Sequence, residues 1–120
     1  MNFRQAIQSG FINYANFSGR AGRSEYWYWM LLWLIVALVD EFVVPEQGSA
    51  WIIRLLLLLV FGIPTVAVSA RRLHDIDKSG WFQLVWMIPI VGWILLLVWG
   101  CRKGTEGPNR FGPDPLARAA

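Results

Sequence analysis

Two long apolar runs in this chain flank a short loop in which charged residues are concentrated. The runs cover Leu55–Ala70 and Trp81–Cys101. The loop between them, residues 70–81, holds three basic residues, two carboxylates and the only histidine, His74. A bilayer-spanning helix needs about 17–25 predominantly apolar residues. The pattern therefore predicts an integral membrane protein whose charged loop lies at a membrane surface.

Composition supports a membrane protein with a single domain, residues 1–120. Hydrophobic residues make up 56% of the chain, against roughly 45–50% apolar residues in an ordinary soluble domain. The net charge is +3, but the basic residues flank apolar runs and form no long basic face, so we expect no nucleic-acid partner. An anionic bilayer surface is the predicted partner. The single cysteine, Cys101, excludes an intramolecular disulfide and has no metal-ligand spacing, so no metal and no cofactor is predicted.

The predicted fold is all-α, with three transmembrane helices over residues 26–44, 51–70 and 81–101. Phe3, Ile7, Phe11 and Tyr14 recur at helical spacing, which predicts an amphipathic surface helix within an interfacial segment, residues 1–24. The alternative for this segment is a frayed tail. The first 24 residues have no continuous apolar core, so no cleavable signal is expected. Residues 102–120, rich in glycine and proline, are predicted to form an irregular tail.

The charges between the apolar runs predict the topology. Basic residues precede the first run and fill the second loop, and acidic residues fill the first loop, which predicts a cytoplasmic N-terminus. Three full spans then place the tail outside, in conflict with Arg102 and Lys103 at its start. A re-entrant third segment, turning at residues 89–92, is the alternative; the full span is favoured. The basic residues predicted to be cytoplasmic are Arg4, Arg20, Arg23, Arg71, Arg72 and Lys78, and the acidic residues predicted to lie on the opposite side are Asp40, Glu41 and Glu46.

The charged residues around His74 are predicted to be structural and not catalytic. Asp75 and Ser79 are near in sequence, but a catalytic triad also needs geometry and an oxyanion site. Pairing of the acids with Arg71 and Arg72 is favoured, and Glu25 is expected to join them from the first helix. The predicted ion-pair and headgroup-binding cluster comprises Arg20, Arg23, Glu25, Arg71, Arg72, His74, Asp75 and Lys78.

Three motifs, in this order, resemble a known family. They are the stretch from Phe17 to Trp27, the stretch from Arg71 to Trp81, and the tail motif Asn109-Arg110-Phe111-Gly112-Pro113. Within the tail motif, Asn109 and Gly112 are predicted to be site residues. The chain resembles the bacterial inner-membrane proteins known as domain of unknown function 805. The resemblance implies a multi-pass protein of the bacterial inner (plasma) membrane and implies no activity.

These observations favour a noncatalytic module that binds anionic lipid or a membrane partner through its basic cytoplasmic face. One alternative is a subunit of a homo-oligomeric small transporter or channel, suggested by Pro64 and Pro89 and by the polar Thr65 and Ser69. A membrane enzyme that uses His74 is the least favoured hypothesis.

Overall fold

The computed structural model describes residues 2–115, and these residues form helices without a β-strand, as predicted. Of the five α-helices, the first three are connected by loops and the last three by two irregular helical segments. A π-helical turn, Leu58–Gly62, lies between α3 and α4, and a 3-10 helix, Gly80–Met87, lies between α4 and α5. The α-helices are α1 (Phe3–Ile12), α2 (Arg23–Phe42), α3 (Ala50–Leu57), α4 (Ile63–Asp75) and α5 (Val91–Cys101).

Helix α3, the π-helical turn and α4 form one continuous helix, Ala50–Asp75. It has 26 residues and a mean hydropathy of 2.3 in its most apolar window. At 1.5 Å per residue it is about 39 Å long, enough to cross a hydrocarbon core of about 30 Å. Among residues 2–115 it is the one helix long and apolar enough to do so. Pro64 lies directly after the wider turn, which accommodates the missing N–H and the bulk of the proline ring.

The helix predicted to end at residue 70 continues for five more residues. The first half of the predicted charged loop is therefore the last part of α4, and the true loop starts after Asp75. The reason is local, because Arg71, Arg72 and Leu73 are good helix formers and no glycine or proline interrupts them. His74 and two arginines consequently lie on a rigid helix.

The prediction of a single helix over residues 81–101 is wrong. The 3-10 helix is followed by a turn at Ile90, whose φ is +65°, and α5 then has 11 residues, about 17 Å. Pro89 explains the break, because it excludes its predecessor from the α region, and Ile88 is extended at φ −92° and ψ 107°. Residues 80–101 thus form a hairpin, in which the Trp93 Nε1–H donates to the Trp86 carbonyl at 2.9 Å.

The N-terminal helix α1 packs across α2. Asn2 and Gln5 form a capping box at its start, in which each side chain accepts a hydrogen bond from the other residue's backbone N–H. Gly10 allows a close approach, because a Cβ at this position would lie 2.2 Å from the Trp29 ring. Trp29 is buried in the small core with Ala21 and Val68, and its indole N–H donates to Thr65 Oγ1 at 2.9 Å.

The two ends of the bundle differ in charge. At one end, Arg54 and Asp40 form an ion pair at 3.0 Å in which each side chain is about one-third exposed. At the other end, the N-terminal segment, the end of α4 and the residues after α5 meet around buried charges. Large apolar side chains such as Leu34, Leu56 and Leu59 are exposed between the ends. A soluble protein rarely exposes so much contiguous apolar surface, whereas lipid covers it in a bilayer.

Candidate functional site

The polar end is the end of the bundle at which the N-terminal segment, the end of α4 and the residues after α5 meet. There, a single carboxylate lies between two guanidinium groups. Asp75 accepts a hydrogen bond from Arg20 Nε through Oδ1 at 3.0 Å and from Arg72 Nη1 through Oδ2 at 2.6 Å. The Arg20 and Arg72 side chains are 0% and 2% exposed, and that of Asp75 is 6% exposed. Buried charges are tolerated only when they are paired and hydrogen-bonded. Asp75 is therefore the group that keeps two buried cations in place.

Backbone carbonyls of the tail, here residues 102–115, complete the coordination of both arginines. Arg20 Nη1 donates to the Gly107 carbonyl at 2.6 Å and to the Gly112 carbonyl at 3.3 Å, and Nη2 donates to the Thr105 carbonyl. Arg72 donates to the Arg102 carbonyl. One carboxylate does not balance the charge of two guanidinium groups, and the negative ends of the carbonyl dipoles supply the remaining stabilisation.

The tail also contacts Asp75 directly. Its Thr105 N–H donates to the Asp75 carbonyl at 2.7 Å. At Gly104 a Cβ would lie 2.1 Å from Asp75 Oδ2, so a glycine is required where the tail passes the carboxylate. The tail thus lies at the same end of the bundle as the N-terminal segment.

A second buried ion pair links three helices. Glu25, near the start of α2, accepts from Arg71 Nη1 at 3.1 Å and from the Ser9 hydroxyl of α1 at 2.6 Å. The Arg71 carbonyl in turn accepts from the Ala21 N–H at 3.0 Å. This pair fixes the packing of α1 and α2 against the end of α4.

His74 contacts backbone and an aromatic ring. Its Nδ1 lies 2.9 Å from the Gly19 carbonyl, and since a carbonyl can only accept, Nδ1 carries the proton. Its ring stacks on Phe111 with a centroid distance of 3.9 Å and an interplanar angle of 1°. Asn109 Nδ2 donates to the His74 carbonyl at 2.9 Å. Within residues 2–115, no hydrogen bond joins the imidazole to Asp75 or Ser79.

The structure brings six of the eight predicted cluster residues together in buried positions, namely Arg20, Glu25, Arg71, Arg72, His74 and Asp75. The other two lie at the margin. Arg23 is exposed and its Nη1 donates to the Cys101 carbonyl at 3.4 Å. Lys78 lies over the rings of Phe82 and Trp99, at 5.6 and 5.4 Å. The cluster was predicted to form ion pairs and to bind headgroups. The buried arginines expose no surface to a headgroup, so their geometry fits ion pairing only.

The predicted tail residues Asn109 and Gly112 both lie in the site, Asn109 through its side chain and Gly112 through its carbonyl. Sequence reasoning missed the other backbone contacts of the tail. The contribution of Thr105 is made by backbone atoms, which have no residue signature. Ser9 was also missed, because nothing in the amphipathic pattern of α1 distinguishes it. In the region from residue 2 to residue 115, no three His, Cys, Asp or Glu side chains are placed to hold a metal ion.

Comparison with known proteins assigns the family. Residues 14–113 match the family model described as protein of unknown function DUF805. The inner membrane proteins YhaH and YhaI of Escherichia coli K12 are each 42% identical to the chain. The YhaH alignment covers 86% of this chain and 89% of YhaH, and the YhaI alignment covers 86% and 88%. Uncharacterized protein YiiR of the same strain is 30% identical over 82% of this chain and 85% of YiiR. No solved structure matches the chain. With a family model that covers most of its length and two relatives at this identity, the chain belongs to the DUF805 family.

Proposed function

We propose that this chain is a multi-pass inner-membrane protein that binds anionic lipid headgroups without catalysing a reaction. The inner-membrane location is inferred from the names of YhaH and YhaI. The proposed ligand surface is a basic rim, defined here as Arg23, Arg102 and Lys103, which are all exposed around the buried cluster. The observation that carries the proposal is that these three cations are exposed at the end of a bundle whose helices expose many large apolar side chains.

The charge distribution supports a cytoplasmic position for the polar end. Basic residues are enriched on the cytoplasmic side of membrane proteins, and the rim lies at the end where the N-terminal segment and the tail meet. The far end contains Asp40, Glu41 and Glu46. We therefore infer that α2 crosses the bilayer alongside the long helix, since its 20 residues are about 30 Å long and its charged residues lie at its two ends. Both the N-terminal segment and the tail are then cytoplasmic, with the hairpin re-entering from that side.

The rim residues differ in whether their side-chain charges are paired with other groups of the chain. Lys103 donates to Glu106 at 2.7 Å, and this hydrogen bond together with the nearby ammonium charge lowers the pKa of the Glu106 carboxyl. The Arg102 side chain is exposed, and only its backbone carbonyl is used by Arg72. Arg102 is thus the residue at which a charge can be removed with least effect on the buried cluster.

Replacing Arg102 with glutamine is expected to weaken binding of phosphatidylglycerol about fivefold, because one basic residue near an anionic surface contributes about 1 kcal/mol. The measurement is a titration of purified protein with phosphatidylglycerol, followed by native mass spectrometry of the lipid adducts. Arg54→Gln removes one charge at the far end and serves as the matched control, with affinity unchanged. Equal affinities of Arg102→Gln and wild type would argue against the rim as a lipid site.

A further inference from the structure

A cavity of about 200 Å³ lies between α2, α4 and the hairpin. Most of its wall is apolar, from side chains such as Leu73, Leu96 and Trp86, and its neutral polar side chains include Thr65, Ser69 and Gln83. It begins beside Arg72 and extends along α4 to Thr65, about 10 Å deeper at the helical rise per residue. The cavity therefore reaches into the depth that the bilayer core occupies around the long helix.

Two of its polar side chains have unused hydrogen-bonding capacity. Thr65 is satisfied, because its hydroxyl donates to the Phe61 carbonyl at 2.6 Å and accepts from Trp29. Ser69 and Gln83 line the same space, and neither side chain has a hydrogen-bond partner in the described part of the chain. Unsatisfied polar groups are costly at membrane depth, and polar residues there generally face a cavity or a ligand.

The cavity presents no free charge. The guanidinium of Arg72 at its polar end is already bonded to Asp75 and to the carbonyls of Gly100 and Arg102. An anionic ligand would have to compete with these partners, whereas a neutral hydroxyl can bond to Ser69 and Gln83 directly. The ligand chemistry that fits is a neutral group that bears one or more hydroxyls and also has an apolar part for the rest of the wall.

Size and access favour the same class of ligand. A volume of 200 Å³ corresponds to about seven waters at about 30 Å³ each, enough for a glycerol-sized group. Val66 and Trp86 line the cavity and are 46% and 58% exposed on the apolar exterior, so a ligand can enter from the lipid side. We propose that this cavity binds a neutral hydroxyl-bearing group, either the glycerol end of a diacylglycerol or a free polyol.

The test uses the full chain, purified in detergent without glycerol, and two probes, dioctanoylglycerol and glycerol. Native mass spectrometry measures the affinity for each probe. We expect saturable binding of at least one probe, and a loss of about tenfold when Ser69→Val and Gln83→Leu are combined, because two neutral hydrogen bonds are removed. Binding of dioctanoylglycerol alone identifies a lipid ligand, and comparable binding of glycerol identifies a free polyol.

Controls separate this site from loss of fold. Gln8→Leu, on the exposed side of α1, is expected to leave the affinity unchanged. If the double variant is unstable, Ser69→Ala alone is expected to weaken binding about threefold while thermal stability is retained. The proposal is overturned if the wild type binds neither probe saturably, in which case the cavity holds water only, or if the folded cavity variants bind as tightly as the wild type.

Discussion

Replacing Asp75 with asparagine is expected to destabilise the protein by about 3–5 kcal/mol, because a buried ion-pair network loses one partner while the others stay buried. The side chains of Arg20 and Arg72 both bond to this carboxylate. An asparagine is almost the same size but carries no charge, so two guanidinium groups would remain buried with carbonyls alone. The measurement is the free energy of unfolding in mild detergent, with limited proteolysis of the tail as a second readout.

Asp77→Asn is the matched control. Asp77 lies two residues further along and pairs with Arg110 at 3.2 Å, but both side chains are more than half exposed, at 51% and 62%. An exposed pair contributes about 0–1 kcal/mol, so little change is expected. If Asp75→Asn were as mild as this control, Asp75 would not be the group that holds the polar end together.

Replacing Gly92 with alanine is expected to open the hairpin. A Cβ at this position would lie 1.6 Å from the Val85 carbonyl oxygen, and that atom belongs to the backbone and cannot move aside like a side chain. Overpacking typically costs about 1–3 kcal/mol and occasionally more, and a contact this close with backbone places the cost at the upper end of that range. The expected result is a less stable protein in which the Trp86–Trp93 contact is lost, measured by thermal unfolding and by crosslinking across the hairpin.

Gly22→Ala controls for the general effect of adding a methyl group. The nearest atom to its new Cβ is 3.9 Å away, on Pro115, and an alanine in place of an N-cap glycine should cost below about 1 kcal/mol. A wild-type-like Gly92→Ala protein would contradict the close packing of the 3-10 helix on α5.

The sequence predicted the helical class and the long apolar helix, and six of the eight residues proposed for the cluster are buried together, because each feature has a signature in residue type. Charges between apolar runs are costly unless paired, so Arg71, Arg72, Glu25 and Asp75 were expected to meet. Which acid serves which arginine was not predictable. Asp75 lies one helical turn from Arg72, whereas its contact with Arg20 depends on how α2 packs against α4.

Sequence reasoning offered a turn at residues 89–92 only as the alternative to a full span, and it did not reach the tail contacts. Residues 81–101 carry no charge, and their hydropathy alone is as suitable for one spanning helix as for two short segments. Pro89 and Gly92 are the residues that indicate the hairpin, because the proline ends the helical segment before it and the glycine lets α5 pack closely against the 3-10 helix. The carbonyls of Thr105, Gly107 and Gly112 contact Arg20 through backbone atoms, which a search for charged side chains does not detect.

We infer that the N-terminal segment and the tail lie at one membrane face, held together by Arg20 and Asp75. Cysteine accessibility in intact cells tests it directly, starting from Cys101→Ser, which removes the native thiol. Single cysteines replace the exposed residues Asn16, Glu46 and Glu106, and a membrane-impermeant maleimide is applied before and after the inner membrane is opened. We predict that positions 16 and 106 react only after opening and that position 46 reacts before. Labelling of position 106 together with position 46, on the side opposite to position 16, would contradict the account.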